Sequence, residues 1–164
     1  MIKDCAFISS RGDHANGACI SILGKYKYQC SKYSVVLQNV SSLYNEAFPT
    51  LSVMCLAHVL NVLLIDCYFG NKGMALRVES SVFHVQRNLQ FINNTAFHKG
   101  ALTFVGDSYM VLNNNTYIFF QNNSATHLGG AIYVGKLSCL NSLFHFSEAE
   151  SLRYQNITIN FINM

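Results

Sequence analysis

The sequence predicts an all-β fold, a right-handed parallel β-helix (solenoid) of about five to six coils. Three observations predict it. A unit of about a dozen residues occurs twice in closely matched form, and its reduced signature returns along the chain at coil-like spacing. Short alternating runs of β-branched and aromatic residues lie between the copies.

The long unit is Phe91-Ile92-Asn93-Asn94-Thr95-Ala96-Phe97-His98-Lys99-Gly100-Ala101-Leu102. It aligns with Phe120-Gln121-Asn122-Asn123-Ser124-Ala125-Thr126-His127-Leu128-Gly129-Gly130-Ala131-Ile132, and the first copy has one residue fewer before its Gly-Ala step. Reduced to a large apolar residue, any residue and then Asn, the signature recurs at Leu43-Tyr44-Asn45, Phe69-Gly70-Asn71 and Phe161-Ile162-Asn163. From Leu43 onward the spacings are 26, 22, 29 and 41 residues, which suit coils carrying loops of variable length. A weaker copy opens the chain: Cys5-Ala6-Phe7 echoes Cys67-Tyr68-Phe69, and Gly17-Ala18-Cys19-Ile20 stands in for the Gly-Ala step.

Strands are expected before each signature, over 34–40, 61–67, 116–120 and 155–161, and after each Gly-Ala, over 102–105 and 132–134. The most apolar window, Leu51 to Ile65, is long enough for a buried helix. Val53, Val59, Val62 and Ile65 are β-branched, however, and Asn61-Val62 leads into the repeat, so strand and core are expected there. At 15 residues, broken by His58 and Asn61, the window falls short of the roughly 20 apolar residues of a membrane span.

One coil cannot bury its own apolar face, so coils stack, pairing parallel strands at about 4.8 Å per layer to a height of roughly 25–30 Å. In that arrangement Phe91, Phe120 and Phe161 are inward residues, each lying over its equivalent in the next coil, and Phe69 opens a further copy of the same signature. Asn71, Asn93, Asn94, Asn122, Asn123 and Asn163 mark a corner. Asn93 and Asn122 sit where the chain turns, because Asn tolerates left-handed backbone angles. Gly100, Gly129 and Gly130 mark a second corner, and Ala101 and Ala131 keep the next strand close to its neighbour.

Composition supports one folded domain over residues 1–164, with the repeat weakest over 1–33. Hydrophobic residues make up 51% and charged residues 12%, about half the usual charged share, which argues against disorder. The net charge of +3 is spread singly, with no basic run to follow a phosphate backbone, so nucleic acid is not an expected partner. The six cysteines lack the paired spacing of a zinc site and are read mainly as small buried residues. The start, Met1-Ile2-Lys3-Asp4-Cys5, has no secretory pattern. No transmembrane segment is expected. Because Phe161-Ile162-Asn163-Met164 opens a new signature, the chain is expected to be a fragment of a longer array, incomplete at one or both ends, with further coils of its own protein as neighbours.

On Phe91-Ile92-Asn93-Asn94, Phe120-Gln121-Asn122-Asn123 and Gly129-Gly130-Ala131-Ile132, the chain resembles right-handed parallel β-helix repeat proteins with Phe-x-x-Asn and Gly-Gly-Ala-(Ile/Leu/Val) motifs. Chlamydial polymorphic outer-membrane proteins and similar sponge repeat proteins are examples. The resemblance is firmest over residues 61–135, and Lys99-Gly100-Ala101 departs from the double glycine. It implies a surface-displayed or secreted scaffold, often an adhesin, and carries over no catalytic residue.

Five sequons, at Asn39, Asn93, Asn114, Asn122 and Asn156, are candidate glycosylation sites and favour an extracellular or cell-surface setting. Arg11-Gly12-Asp13 matches an integrin-read tripeptide but reads better as a polar turn. His98 and His127 hold equivalent repeat positions. Two imidazoles begin a metal site, yet no acid shares their offset, so a solvated loop is the expected setting. The eight acids, Asp4, Asp13, Glu46, Asp66, Glu79, Asp107, Glu148 and Glu150, show no pair recurring at coil spacing, and nucleophile motifs are missing. The expected function is therefore a non-enzymatic scaffold or adhesion module without cofactor or metal, meeting a protein or glycan partner. A carbohydrate-active lyase or hydrolase, and an inert spacer within a larger receptor-like protein, are the alternatives.

Overall fold

The computed structural model describes residues 1–12, 20–23, 35–47, 52–59, 61–106, 108–113, 115–135, 144–146 and 158–162. Every regular element among them is a strand, and all pairing is parallel. The larger sheet stacks β1 (Ile2–Ile8), β4 (Val35–Ala47), β6 (Val62–Lys72) and β8 (Val82–Ile92). Next come β11 (Tyr109–Leu112) with β12 (Tyr117–Gln121), and then β15 (Phe144–Phe146) with β16 (Thr158–Ile162). Short strands β2 (Arg11–Gly12), β9 (Thr95–Ala96) and β13 (Ser124–Ala125) extend it. The second sheet runs β3 (Ile20–Leu23), β5 (Ser52–Ala57), β7 (Met74–Glu79), β10 (Leu102–Val105) and β14 (Ile132–Val134). The larger sheet thus counts six layers of a parallel β-solenoid, as its repeat predicts.

The 51–65 window is strand, not helix: β5 is buried along its whole length and β6 opens on buried Val62, Leu63 and Leu64. Strands before the signatures run longer than their alternating cores, because β4, β6 and β8 continue through a bend into the signature itself. The strand starts expected at 34 and over 155–157, and the corner role given to Asn163, lie outside the described residues.

Inside, each coil lays one residue type over its equivalent. Phe69, Phe91, Phe120 and Phe161 form a column with ring centroids 5.1, 5.0 and 5.1 Å apart and nearly parallel planes. Register continues the column to Ser42 and Phe7, so a serine interrupts it one coil above Phe69. Leu37, Leu64, Val85 and Leu112 make a second buried column, and Leu56, Val78 and Phe104 a third.

A buried asparagine ladder closes the corner beside the phenylalanines. The Ser10 amide donates to Asn45 Oδ1 (2.8 Å), Asn45 N to Asn71 Oδ1 (3.2 Å), Asn71 N to Asn94 Oδ1 (2.8 Å) and Asn94 N to Asn123 Oδ1 (3.1 Å). The amide nitrogens of Asn45, Asn94 and Asn123 donate to the carbonyls of Phe7, Phe69 and Phe91. Each side chain thus satisfies backbone groups that a turning strand would bury unpaired.

The ladder corrects the reduced signature. Asn45 and Asn71 stack with Asn94 and Asn123, not with Asn93 and Asn122, and Ser42, not Leu43, holds the phenylalanine position. The left-handed corner residue is Asn93 (φ 56°) in one coil, Asn122 (51°) in the next and Tyr44 (54°) in an earlier one. The Phe69 coil lacks that residue, being one shorter, and there Asn71 Nδ2 is left buried without a partner.

At the glycine corner the Ala101 amide donates to the Gly130 carbonyl at 3.1 Å and Leu102 to Ala131 at 2.9 Å, so the alanines stack as expected. A Cβ on Gly100 would stand 2.2 Å from the Gly129 carbonyl oxygen, which makes glycine obligatory there. Gly129 takes φ +49°, absorbing the residue that the later copy has in excess.

Candidate functional site

The bend in the long strands builds the site. Asp4 (φ 51°), Asn39 (52°), Asp66 (50°) and Arg87 (66°) each sit mid-strand in the left-handed region, in β1, β4, β6 and β8. Asn115 (59°) takes the same conformation between β11 and β12. Asp and Asn are the non-glycine residues that enter this region most readily, so the sequence selects the bend. Register places the first three side by side: Lys3 pairs Gln38 and Cys5 pairs Val40, while Gln38 pairs Ile65 and Ser41 pairs Tyr68. One extra residue in β8 shifts the register beyond Ile65, bringing Arg87 and Asn88 against Asp66.

The outward faces on either side of the bend converge on an open groove of roughly 680 Å³. Lys3, Asp4, Gln38, Asn39, Ser41, Asp66, Cys67, Tyr68, Arg87, Asn88 and Gln90 line it. Its charges answer one another. Asp66 Oδ1 accepts from Asn88 Nδ2 at 2.8 Å and from the Asn88 amide at 3.3 Å, and its Oδ2 meets Arg87 Nε at 3.1 Å. Asn39 Nδ2 donates to Asp4 Oδ1 at 3.0 Å, with Lys3 Nζ 3.8 Å from Asp4 Oδ2.

Tyr68 forms the aromatic wall. Its ring crosses Gly70, where an added Cβ would stand 3.2 Å from Tyr68 Cε1, so the missing side chain makes room for the ring against the sheet. Burial, followed by the charge of Tyr44, pushes the Tyr68 phenol above its ordinary pKa. Cys67 borders the groove but is itself buried, its single S–H within reach of the carbonyls of Leu37 (3.4 Å) and Ile65 (3.5 Å). Burial pushes that thiol up to about 11, so it is no nucleophile at neutral pH. Cys5, Cys55 and Cys67 are free thiols, with burial raising Cys55 as well. Cys19, Cys30 and Cys139 lie outside the described residues.

The repeat pattern places no chemistry at this corner. No acids recur at coil spacing there, because Asn39 separates Asp4 from Asp66 by a whole coil. The signal was present: the Cys5-Ala6-Phe7 echo of Cys67-Tyr68-Phe69 extends one residue earlier, to Asp4 and Asp66. Carboxylates and basic side chains do therefore share one groove.

The other candidates fall elsewhere. Sequon residues Asn39, Asn93 and Asn122 are exposed at left-handed corners, Asn39 on the groove and the other two stacked, with Asn122 Nδ2 donating to Asn93 Oδ1 at 3.2 Å. Asn114 and Asn156 lie outside the described residues. Arg11 and Gly12 pair in parallel with Glu46 and Ala47, so this part of the tripeptide is strand, while Asp13 is not described. His98 and His127 come together at the far corner, ring centroids 4.8 Å apart. Among the described residues no three or more His, Cys, Asp or Glu gather as a metal centre, and no helix is long and apolar enough to cross a membrane. No protein-family model, no curated protein and no solved structure matches the chain.

Proposed function

We propose that the chain is a non-enzymatic binding module, a β-solenoid scaffold of the cell surface or extracellular space that holds a glycan in the polar groove along its bend. The resemblance of its Phe-x-x-Asn and Gly-Gly-Ala motifs to chlamydial and sponge repeat proteins points the same way. The observation that carries the reading is the groove's lining: amides (Gln38, Asn39, Asn88, Gln90), a hydroxyl (Ser41) and one flat aromatic ring (Tyr68) around balanced charges. Amides and hydroxyls match sugar hydroxyls as paired donors and acceptors, and an aromatic face packs on the apolar face of a sugar ring.

A second reading, a polysaccharide lyase or hydrolase, is favoured by Asp4, Asp66 and Arg87 sharing the groove. Two layers separate the Asp4 and Asp66 backbones, roughly 9.6 Å at the parallel spacing, at the upper end of the about 6.5–9.5 Å between the carboxyl groups of an inverting pair. Both Asp66 oxygens are already engaged by Asn88 and Arg87, which leaves it a structural role.

A glycan array probed with the chain, followed by titration of the best binder, separates the readings. Binding that Tyr68→Ala and Asn88→Ala each weaken, without release of new reducing or unsaturated ends, is the expected result. Chain cleavage abolished by Asp4→Asn would establish the enzyme. Glycan binding indifferent to both groove substitutions would refute the assignment of the groove.

A further inference from the structure

The turn that follows each complete signature carries a histidine, and stacking turns these two residues into a pair. His98 and His127 have ring centroids 4.8 Å apart with planes at 65°. Phe97 packs on both, edge-on to His98 at 4.9 Å and tilted against His127 at 5.1 Å. The Leu128 amide donates to the His98 carbonyl at 3.1 Å, tying the two turns together. His127 is exposed and His98 half-buried, and neither imidazole hydrogen-bonds to a described residue. Lys99, next in sequence to His98, holds its Nζ 5.0 Å above the Tyr133 ring.

We propose that His98 and His127 form an open two-imidazole site for a divalent transition-metal ion of the zinc, copper or nickel type. Imidazole nitrogen is a favoured donor for these ions. Two imidazoles bound tetrahedrally at metal–nitrogen distances of about 2.0–2.1 Å place their ring centroids roughly 5 Å apart. The 4.8 Å separation of the pair matches that spacing, and turning the rings out of their edge-to-face contact brings one nitrogen of each onto a shared ion. Among the described residues no third His, Cys, Asp or Glu joins the pair, so water completes the coordination shell and the site stays open on its solvent side. Phe97 lowers the cost of binding by holding both rings before the ion arrives.

The test is titration of the full chain with zinc alone and with nickel alone, by calorimetry and by the imidazole C–H resonances in NMR. One ion per chain is expected, shifting the His98 and His127 resonances first. His98→Ala and His127→Ala should each weaken that event by about tenfold or more, or ~1.4 kcal/mol, and His84→Gln should leave it unchanged. Both substitutions lie on an outer turn, and retention of the wild-type circular dichroism spectrum checks that they fold. Zinc and nickel binding unaltered in both variants, or resonance shifts confined to other residues, would overturn the proposal.

Discussion

Asn93 and Asn94 are chemically the same residue in adjacent positions, and they do different things. Asn93 is exposed and supplies a backbone angle (φ 56°), which glycine supplies as well. Asn94 is buried and supplies three hydrogen bonds: from Asn71 N, to the Phe69 carbonyl and to Asn123 Oδ1. Asn94→Ala strands those groups in the interior and is expected to cost about 2–4 kcal/mol, whereas Asn93→Gly stays within about 0.5 kcal/mol. Urea unfolding midpoints of the two variants check this. His84 adds a pH dependence, because burial lowers its pKa from 6.5. The folded chain then binds fewer protons than the unfolded one, so stability is full above about pH 6.5 and declines as pH falls below it. His84→Gln should flatten the melting temperature between pH 7 and 5. The repeat made the four asparagines of its two long copies visible and placed the left-handed angle at Asn93 and Asn122, but the buried hydrogen-bonding role of Asn94 and Asn123 was hidden. Spacing reports which residues recur, not which of two neighbours points inward where a strand turns.

At the scale of the strand, the phenylalanine column ties one coil to the next. Phe91 is fully buried between Phe69 and Phe120, while Phe161 is 51% exposed at the end of the column. Phe91→Ala is expected to cost about 3–5 kcal/mol and Phe161→Ala about 1 kcal/mol or less, a contrast that equilibrium unfolding resolves. The column was legible because a large aromatic returning at coil spacing marks a stacked interior position. The bend through Asp4, Asn39, Asp66 and Arg87 was not, since a single left-handed residue inside an alternating strand leaves no gap in hydrophobicity. A register shift of one residue at Arg87 further hides the equivalence of that coil. Those bends build the groove, so the part of the sequence that was hardest to read is the part assigned to binding.

Across the whole molecule, the stack of parallel coils explains why the fold was legible while the groove was not. Core columns repeat and so are written several times over, whereas the residue at the bend changes from Asp to Asn to Asp to Arg between coils, so no one residue type marks the groove in every coil. The claim on which everything else rests is the parallel register, in which β9 and β13 set Thr95 beside Ser124, both exposed. Adjacent positions across parallel strands lie about 4.8 Å apart, within the roughly 4.4–6.8 Å between Cα atoms that a disulfide spans. The most direct measurement is oxidative cross-linking of two double variants, Thr95→Cys with Ser124→Cys and Thr95→Cys with Thr126→Cys, mapped by mass spectrometry. A bond between positions 95 and 124, and none between 95 and 126, is the expected result. A bond at 95–126 in preference to 95–124 would contradict the stacked-coil register.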